Sequence, residues 1–372
     1  MENGIRNFSA FLKFESPEIN VVEVTREEFI KLQTWAGKKT ADLISKNDAT
    51  AWDVLLEPII HQGILQSKSN TNSDYENTEV RMSDLRPWEK FPTFSDIESF
   101  SKSSDKLKRI FHDLMLPNAA RRMWYEEVLD DPGYIPSNEE TSLIRNTHAF
   151  FAQLNALIRL ACTGPSSKFA NGVEGLKSKE WITIGGGKCA MKRRAEGNPH
   201  KKIPDLAAYW TDGNNSHLNP KKGKTDHSAS QKDCLLVGNF KMATKFSHEM
   251  LMSTSRRFKP EGKKVMNQIH DYMDMHHNRF GYIITQNELI MFRRRDDGTE
   301  TWGQVDYSPS IPVSTERGKL NAMMVLWYFH VKYGVMELDG GWKLPSFYHK
   351  IPKELLGTST KPKGTSPKKK TG

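Results

Sequence analysis

A chain of 372 residues with 37% hydrophobic and 10% aromatic residues can bury one large or two ordinary cores, which excludes a wholly disordered protein. Its three cysteines, Cys162, Cys189 and Cys234, are too few and too unevenly spaced for a disulfide framework and include no C-x-x-C pair for structural zinc, so reduced thiols are expected. The net charge of +9 is concentrated: ten Lys/Arg accompany four acids between Lys188 and Lys232, and five lysines with no acid lie between Gly357 and Gly372. Such local fields favour a phosphate polyanion as partner, although solvated lysine-rich loops account equally well for the charge taken alone.

The chain opens without a cationic run leading into an apolar one, and no stretch approaches the roughly 18 apolar residues of a membrane span. A soluble, intracellular protein without membrane contact is expected. Residues 1–130 read as a helical N-terminal region. Thr25-Arg26-Glu27-Glu28 is a capping-box pattern ahead of an apolar stripe of Phe29, Leu32 and Trp35. A second helix is predicted from Ala49 to Leu65, a polar loop over 66–73, and a helical segment from Asp105 to Leu129 interrupted near Pro117. A long helix starts at Pro136-Ser137-Asn138-Glu139-Glu140 and ends near Thr163-Gly164-Pro165.

From about residue 180 short strands take over: 181–184, 190–193, 204–210, 235–241, 281–285 and 288–293, with Gln286-Asn287 as a tight hairpin between the last two. Helices are predicted over 262–277 and 316–333, the second with Leu320, Met323, Met324, Trp327 and Val331 as a core-facing stripe. Residues 351–372 form a basic tail rich in Gly, Ser, Thr, Pro and Lys, expected to be disordered.

Two of these strands carry the chemistry. Side chains alternate along a strand, so Asn239 and Lys241 share a face opposite to Gly238 and Phe240. If the Pro204-Asp205 strand pairs beside them, Asp205, Asn239 and Lys241 meet at one edge. On the next helix, Gln268 and Tyr272 stand at i and i+4 and share a face.

This ordered set resembles the PD-(D/E)XK phosphodiesterase superfamily, and Gln268-x-x-x-Tyr272 resembles the motif of its RecB-like members. With Arg279-Phe280-Gly281-Tyr282-Ile283-Ile284-Thr285 and Phe292-Arg293-Arg294, the stretch of roughly 135–310 is similar to a group of fungal PD-(D/E)XK-like proteins, relatives of which occur in spore-killing proteins. The resemblance implies an α/β fold of restriction-endonuclease-like type, a mixed sheet flanked by helices, spanning 131–350 behind the helical N-terminal region. It also implies a Mg²⁺ or Mn²⁺ site in which Asp205 is the principal ligand, Asn239 the second and the Phe240 carbonyl a third. Lys241 would orient the attacking water, and Gln268 and Tyr272 would support it.

The family usually carries Glu where this chain has Asn239. An amide offers a neutral oxygen, so metal affinity and cleavage should both fall unless Glu140 or Glu249 supplies the missing charge. Glu140 has an alternative role, capping the long helix with Ser137. Two readings therefore stay open. One is a Mg²⁺-dependent nuclease with a weakened metal site. The other is an inactive pseudo-nuclease that binds nucleic acid or, through the N-terminal region, a protein partner, as a genetic-conflict factor would. Lys188, Lys192, Arg193, Arg194, Lys201 and Lys202 are the candidate contacts to nucleic acid, DNA before RNA.

Other patterns weigh less. Gly185-Gly186-Gly187-Lys188 lacks the spacing of a phosphate loop and reads as a glycine turn between strands. His270, Asp274 and His277 could bind a transition metal from one helix, but packing or solvation is the expected use. Ser366-Pro367-Lys368-Lys369-Lys370 resembles a nuclear-import cluster or a basic arm, which favours the nucleus over the cytoplasm.

Overall fold

The apolar run at Cys234–Phe240 is buried along its whole length, which places it at the centre of a sheet rather than at an edge. The computed structural model describes residues 49–56, 84–116, 139–164, 181–186, 204–211, 234–243, 245–253, 258–295, 303–313, 315–337 and 341–344. The stripe at Phe29–Trp35, the loop at 66–73, the strand at 190–193 and the tail lie outside these residues. In chain order the described elements are α1 (Ala51–Leu56), β1 (Asp84–Pro87), α2 (Phe94–Ser101), α3 (Asp105–Lys108), α4 (Glu139–Thr163), β2 (Trp181–Gly186), β3 (Leu206–Thr211), β4 (Cys234–Phe240), α5 (His248–Met252), α6 (Phe258–Met275), β5 (Phe280–Ile284), β6 (Glu288–Arg294), β7 (Gln304–Tyr307), β8 (Ile311–Pro312) and α7 (Ala322–Val331). Single π-helical turns follow α3 at Arg109–Asp113 and α7 at Lys332–Met336.

The eight strands form one mixed sheet in the order β1-β7-β6-β5-β4-β3-β2, with β8 beside β6. The pairs β1–β7 and β4–β5 are parallel and the others antiparallel. The fold is therefore α/β. Strand alternation gives the sheet two buried faces. Leu206, Leu236, Phe240 and Tyr282 pack toward α4 and α7, while Ala207, Val237, Ile283 and Ile290 pack on Val265, Ile269 and Met273 of α6. No helix among the described residues is long and apolar enough to cross a membrane.

The segment ahead of residue 130 contributes to the same core. Its β1 is an edge strand of the sheet, and Phe111 lies with its ring centroid 4.6 Å from that of Trp327 on α7. Trp88, just past β1, stacks at 6.0 Å on Phe280 of β5. Neither β1 nor α2 stands out by periodicity, although Thr93 and Asp96 form a complete capping box in which Thr93 Oγ1 accepts from the Asp96 N–H.

One expectation about a helix needs correction. The helix predicted from Glu316 begins only at Ala322, because Asn321 Oδ1 accepts from the Met324 N–H at 3.0 Å while its Nδ2 donates to the Leu55 carbonyl at 2.9 Å. The expected stripe on α7 does face the core, and burial extends to the rest of the helix: all ten residues are buried, His330 included. At the hairpin, residues 286 and 287 make the expected two-residue turn, closed by the Thr285 N–H donating to the Glu288 carbonyl at 2.8 Å.

Burial gives the fold an acid sensitivity. Desolvation lowers His330 to a pKa of about 4, and desolvation with the nearby Arg294 charge lowers His270 to about 3, each from 6.5. Both are neutral in the folded protein, whereas the unfolded chain takes up protons near pH 6.5. Their contribution is complete above that pH and is lost as pH falls toward the folded values, by on the order of 2 kcal/mol for each residue. Urea midpoints measured from pH 7 to pH 4 should fall accordingly, and His330→Leu should flatten that slope.

Candidate functional site

Because β3 and β4 run antiparallel, the start of one meets the end of the other. The register Leu206↔Gly238 sets Asp205 opposite Asn239 at that edge. Pro204 is buried and Asp205 is exposed. One Asp205 oxygen, Oδ2, accepts from the Phe240 N–H at 2.9 Å, tying the carboxylate to the end of β4.

Asn239 and Lys241 are 1% and 7% exposed. Asn239 Nδ2 donates to Gln268 Oε1 at 2.7 Å, and Gln268 Nε2 donates to Tyr272 Oη at 2.9 Å. The i, i+4 pair on α6 thus reaches the strand end as a chain of neutral hydrogen bonds. Burial, the Asp205 charge and the Asp271 charge push the Tyr272 phenol above its usual range, against the Gln268 bond, so it stays protonated. Lys241 continues the parallel ladder one residue past β4, its N–H donating to the Ile284 carbonyl at 3.1 Å. The Phe240 ring points to the other face, with its centroid 5.8 Å from that of Phe151.

The structure therefore brings Asp205, Asn239, Gln268 and Tyr272 together. Glu249 is exposed on the short α5, and Glu140 is the second residue of α4, its proposed capping partner Ser137 lying outside the described residues. Lys188, Lys192, Arg193, Arg194, Lys201 and Lys202 also lie outside them. Gly185 and Gly186 are not a turn between strands: they belong to β2 and pair with Ala207 and Leu206. A Cβ on Gly185 would stand 3.0 Å from the Tyr209 hydroxyl, so glycine there answers to a close approach.

The transition-metal alternative on α6 dissolves in the geometry. Asp274 pairs with Arg294 at 2.9 Å, and His277 lies past the end of the helix at φ 58°. Among the described residues no group of three His, Cys, Asp or Glu is placed to hold a metal ion. At the strand edge the described donors are one carboxylate, with an oxygen already bonded to the Phe240 N–H, the neutral amides of Asn239 and Gln268, and the main-chain carbonyl of Phe240. A hard divalent cation needs several oxygens and prefers charged ones, so with Asn in place of a second carboxylate these described donors would hold Mg²⁺ or Mn²⁺ only weakly.

One neighbour of the site escapes sequence reasoning. The Tyr282 ring crosses β4 directly over Gly238, and its buried hydroxyl finds no hydrogen-bond partner among the described residues. Desolvation, with smaller effects from Cys234 and Asp205, pushes this phenol well above its usual range. A glycine inside an otherwise apolar strand is the signal that such an approach exists. No family model, curated protein or solved structure matches the chain.

Proposed function

We propose that the chain is a nucleic-acid-binding protein on a restriction-endonuclease-like scaffold, with a site that holds phosphodiesters without cleaving them. The observation that carries this reading is the Asn239–Gln268–Tyr272 chain, a neutral network standing where cleavage would require a second carboxylate. The scaffold is supported by the antiparallel β3–β4 pair, the parallel β4–β5 pair and the crossover through α5 and α6 between them. The concentration of lysine and arginine between Lys188 and Lys232 supports a polyanion as the ligand.

Incubation with single- and double-stranded DNA and RNA in Mg²⁺ or Mn²⁺ should leave every substrate intact. Asn239→Glu restores a second carboxylate beside Asp205 and is expected to raise Mn²⁺ affinity at least about tenfold, measured by calorimetry. Cleavage by the unaltered chain that disappears in Asp205→Ala and in Lys241→Ala would overturn the reading in favour of an active nuclease.

A further inference from the structure

On the α7 face, at the end of the sheet away from Asp205, a cleft of about 760 Å³ opens between the segment after β1, α2, β6 and the turn after α7. Its separation from the strand-edge site follows from the register. Arg293 of the cleft pairs with Phe280 at the start of β5, whereas Phe240 pairs with Ile284 at the end of that strand. The volume suits one small organic ligand.

Two cations are held in the cleft by fixed contacts. Arg293 Nε and Nη2 both donate to Asp306 Oδ2, at 3.0 and 2.5 Å, and its guanidinium carbon sits 4.4 Å above the Trp88 ring. This clamp leaves the Nη1 edge for a ligand. Arg295 also approaches Asp306, at 3.8 Å, so this single carboxylate faces two guanidinium groups and positive charge remains in excess there. Lys332 Nζ donates to Tyr328 Oη at 2.9 Å and lies 5.3 Å from the Tyr333 ring centroid, with Glu337 more distant at 3.9 Å. Arg293, Lys332 and Tyr333 all line this one cleft, so both cations face its interior.

The rest of the wall is aromatic. Phe91 and Phe100 are half-buried side chains of the lining, held edge-on against Trp88 and Tyr328 respectively. Of the acids on the rim, Asp96 caps α2 through Thr93 while its charge also acts on Lys332, and Glu89 is exposed. Paired cations beside aromatic faces match a ligand with an anionic group next to a flat ring.

We propose that this cleft is a nucleotide site: Arg293 and Lys332 hold a phosphate, and Phe91 and Phe100 receive the base. The ligand is a nucleoside monophosphate or the phosphorylated end of a single strand, which share this chemistry. The proposal stands apart from the strand-edge reading, because no residue is common to the two sites.

Calorimetric titration of the full chain tests it, using adenosine monophosphate, adenosine, inorganic phosphate, and a tetranucleotide with and without its 5′-phosphate. Saturable binding of the monophosphate, at least about tenfold tighter than adenosine or inorganic phosphate, is expected, with a further tenfold loss in Lys332→Met and in Arg293→Gln. Tighter binding of the 5′-phosphorylated tetranucleotide than of the monophosphate identifies a strand end as the ligand, and the reverse identifies the free nucleotide. Melting curves establish that each variant is folded, and Phe91→Leu tests the base contact without changing charge. Absence of saturable binding to any phosphorylated ligand, or undiminished binding in folded Lys332→Met, overturns the proposal.

Discussion

Gly238→Ala should destabilise the fold by about 3 kcal/mol or more, an overpacking effect at the upper end of the usual range. The added Cβ would stand 2.2 Å from Tyr282 Cζ, 2.5 Å from Cε2 and 2.6 Å from Oη. Neither partner can yield easily, because Tyr282 is 1% exposed and β4 is paired on both sides. Calorimetric melting should register a fall of roughly 4–8 °C. Gly238→Ala combined with Tyr282→Leu should cost less than the two single changes added together, as expected for groups in direct contact. Tyr282→Phe, by contrast, removes only a buried hydroxyl that has no partner among the described residues, and should be neutral or stabilising. A Gly238→Ala protein as stable as the parent would show that the ring does not cross the strand there.

Asp274→Ala should cost about 3–5 kcal/mol, because it removes the carboxylate paired with a fully buried guanidinium. The Arg294 side chain is 0% exposed and that of Asp274 3%, and their 2.9 Å contact joins the end of α6 to β6. Arg294 Nη1 also donates to the Met273 carbonyl at 3.1 Å, closing the C-terminal turn of the helix that carries Gln268 and Tyr272. Urea unfolding of Asp274→Ala and of Asp274→Ala/Arg294→Met checks this. The double variant should recover much of the loss, since an apolar side chain of similar length replaces the stranded charge. Equal losses in both would mean that packing at this junction matters more than charge.

What the sequence reveals divides by range. The strands β3 to β6 and the helix α6 are legible because apolar alternation, the 286–287 turn and helical periodicity are local signals. Asp84–Pro87 and Gln304–Tyr307 are not. Each is four residues long, without clear alternation, and each becomes a strand by pairing with the other across more than two hundred positions. The late start of α7 depends on Asn321 reaching the Leu55 carbonyl in a distant helix. At the candidate site, alternation alone puts Asn239 and Lys241 on one face, and helical spacing aligns Gln268 with Tyr272. That Gln268 bonds to Asn239 depends on how α6 docks on the sheet, which no local pattern encodes. Likewise Pro204-Asp205 marks a strand start, but the Asp205 bond to the Phe240 N–H exists only once β3 and β4 are in register.

The proposed strand-edge site would hold phosphates through protein groups alone. The most direct test measures the affinity of a labelled oligonucleotide by fluorescence anisotropy across a salt series, once with EDTA and once with Mg²⁺, recovering the oligonucleotide afterwards for length analysis. Affinity that falls steeply with salt, is the same in both series and leaves a full-length oligonucleotide is the predicted result. Binding that requires Mg²⁺, or recovery of shortened product in the Mg²⁺ series alone, would contradict it.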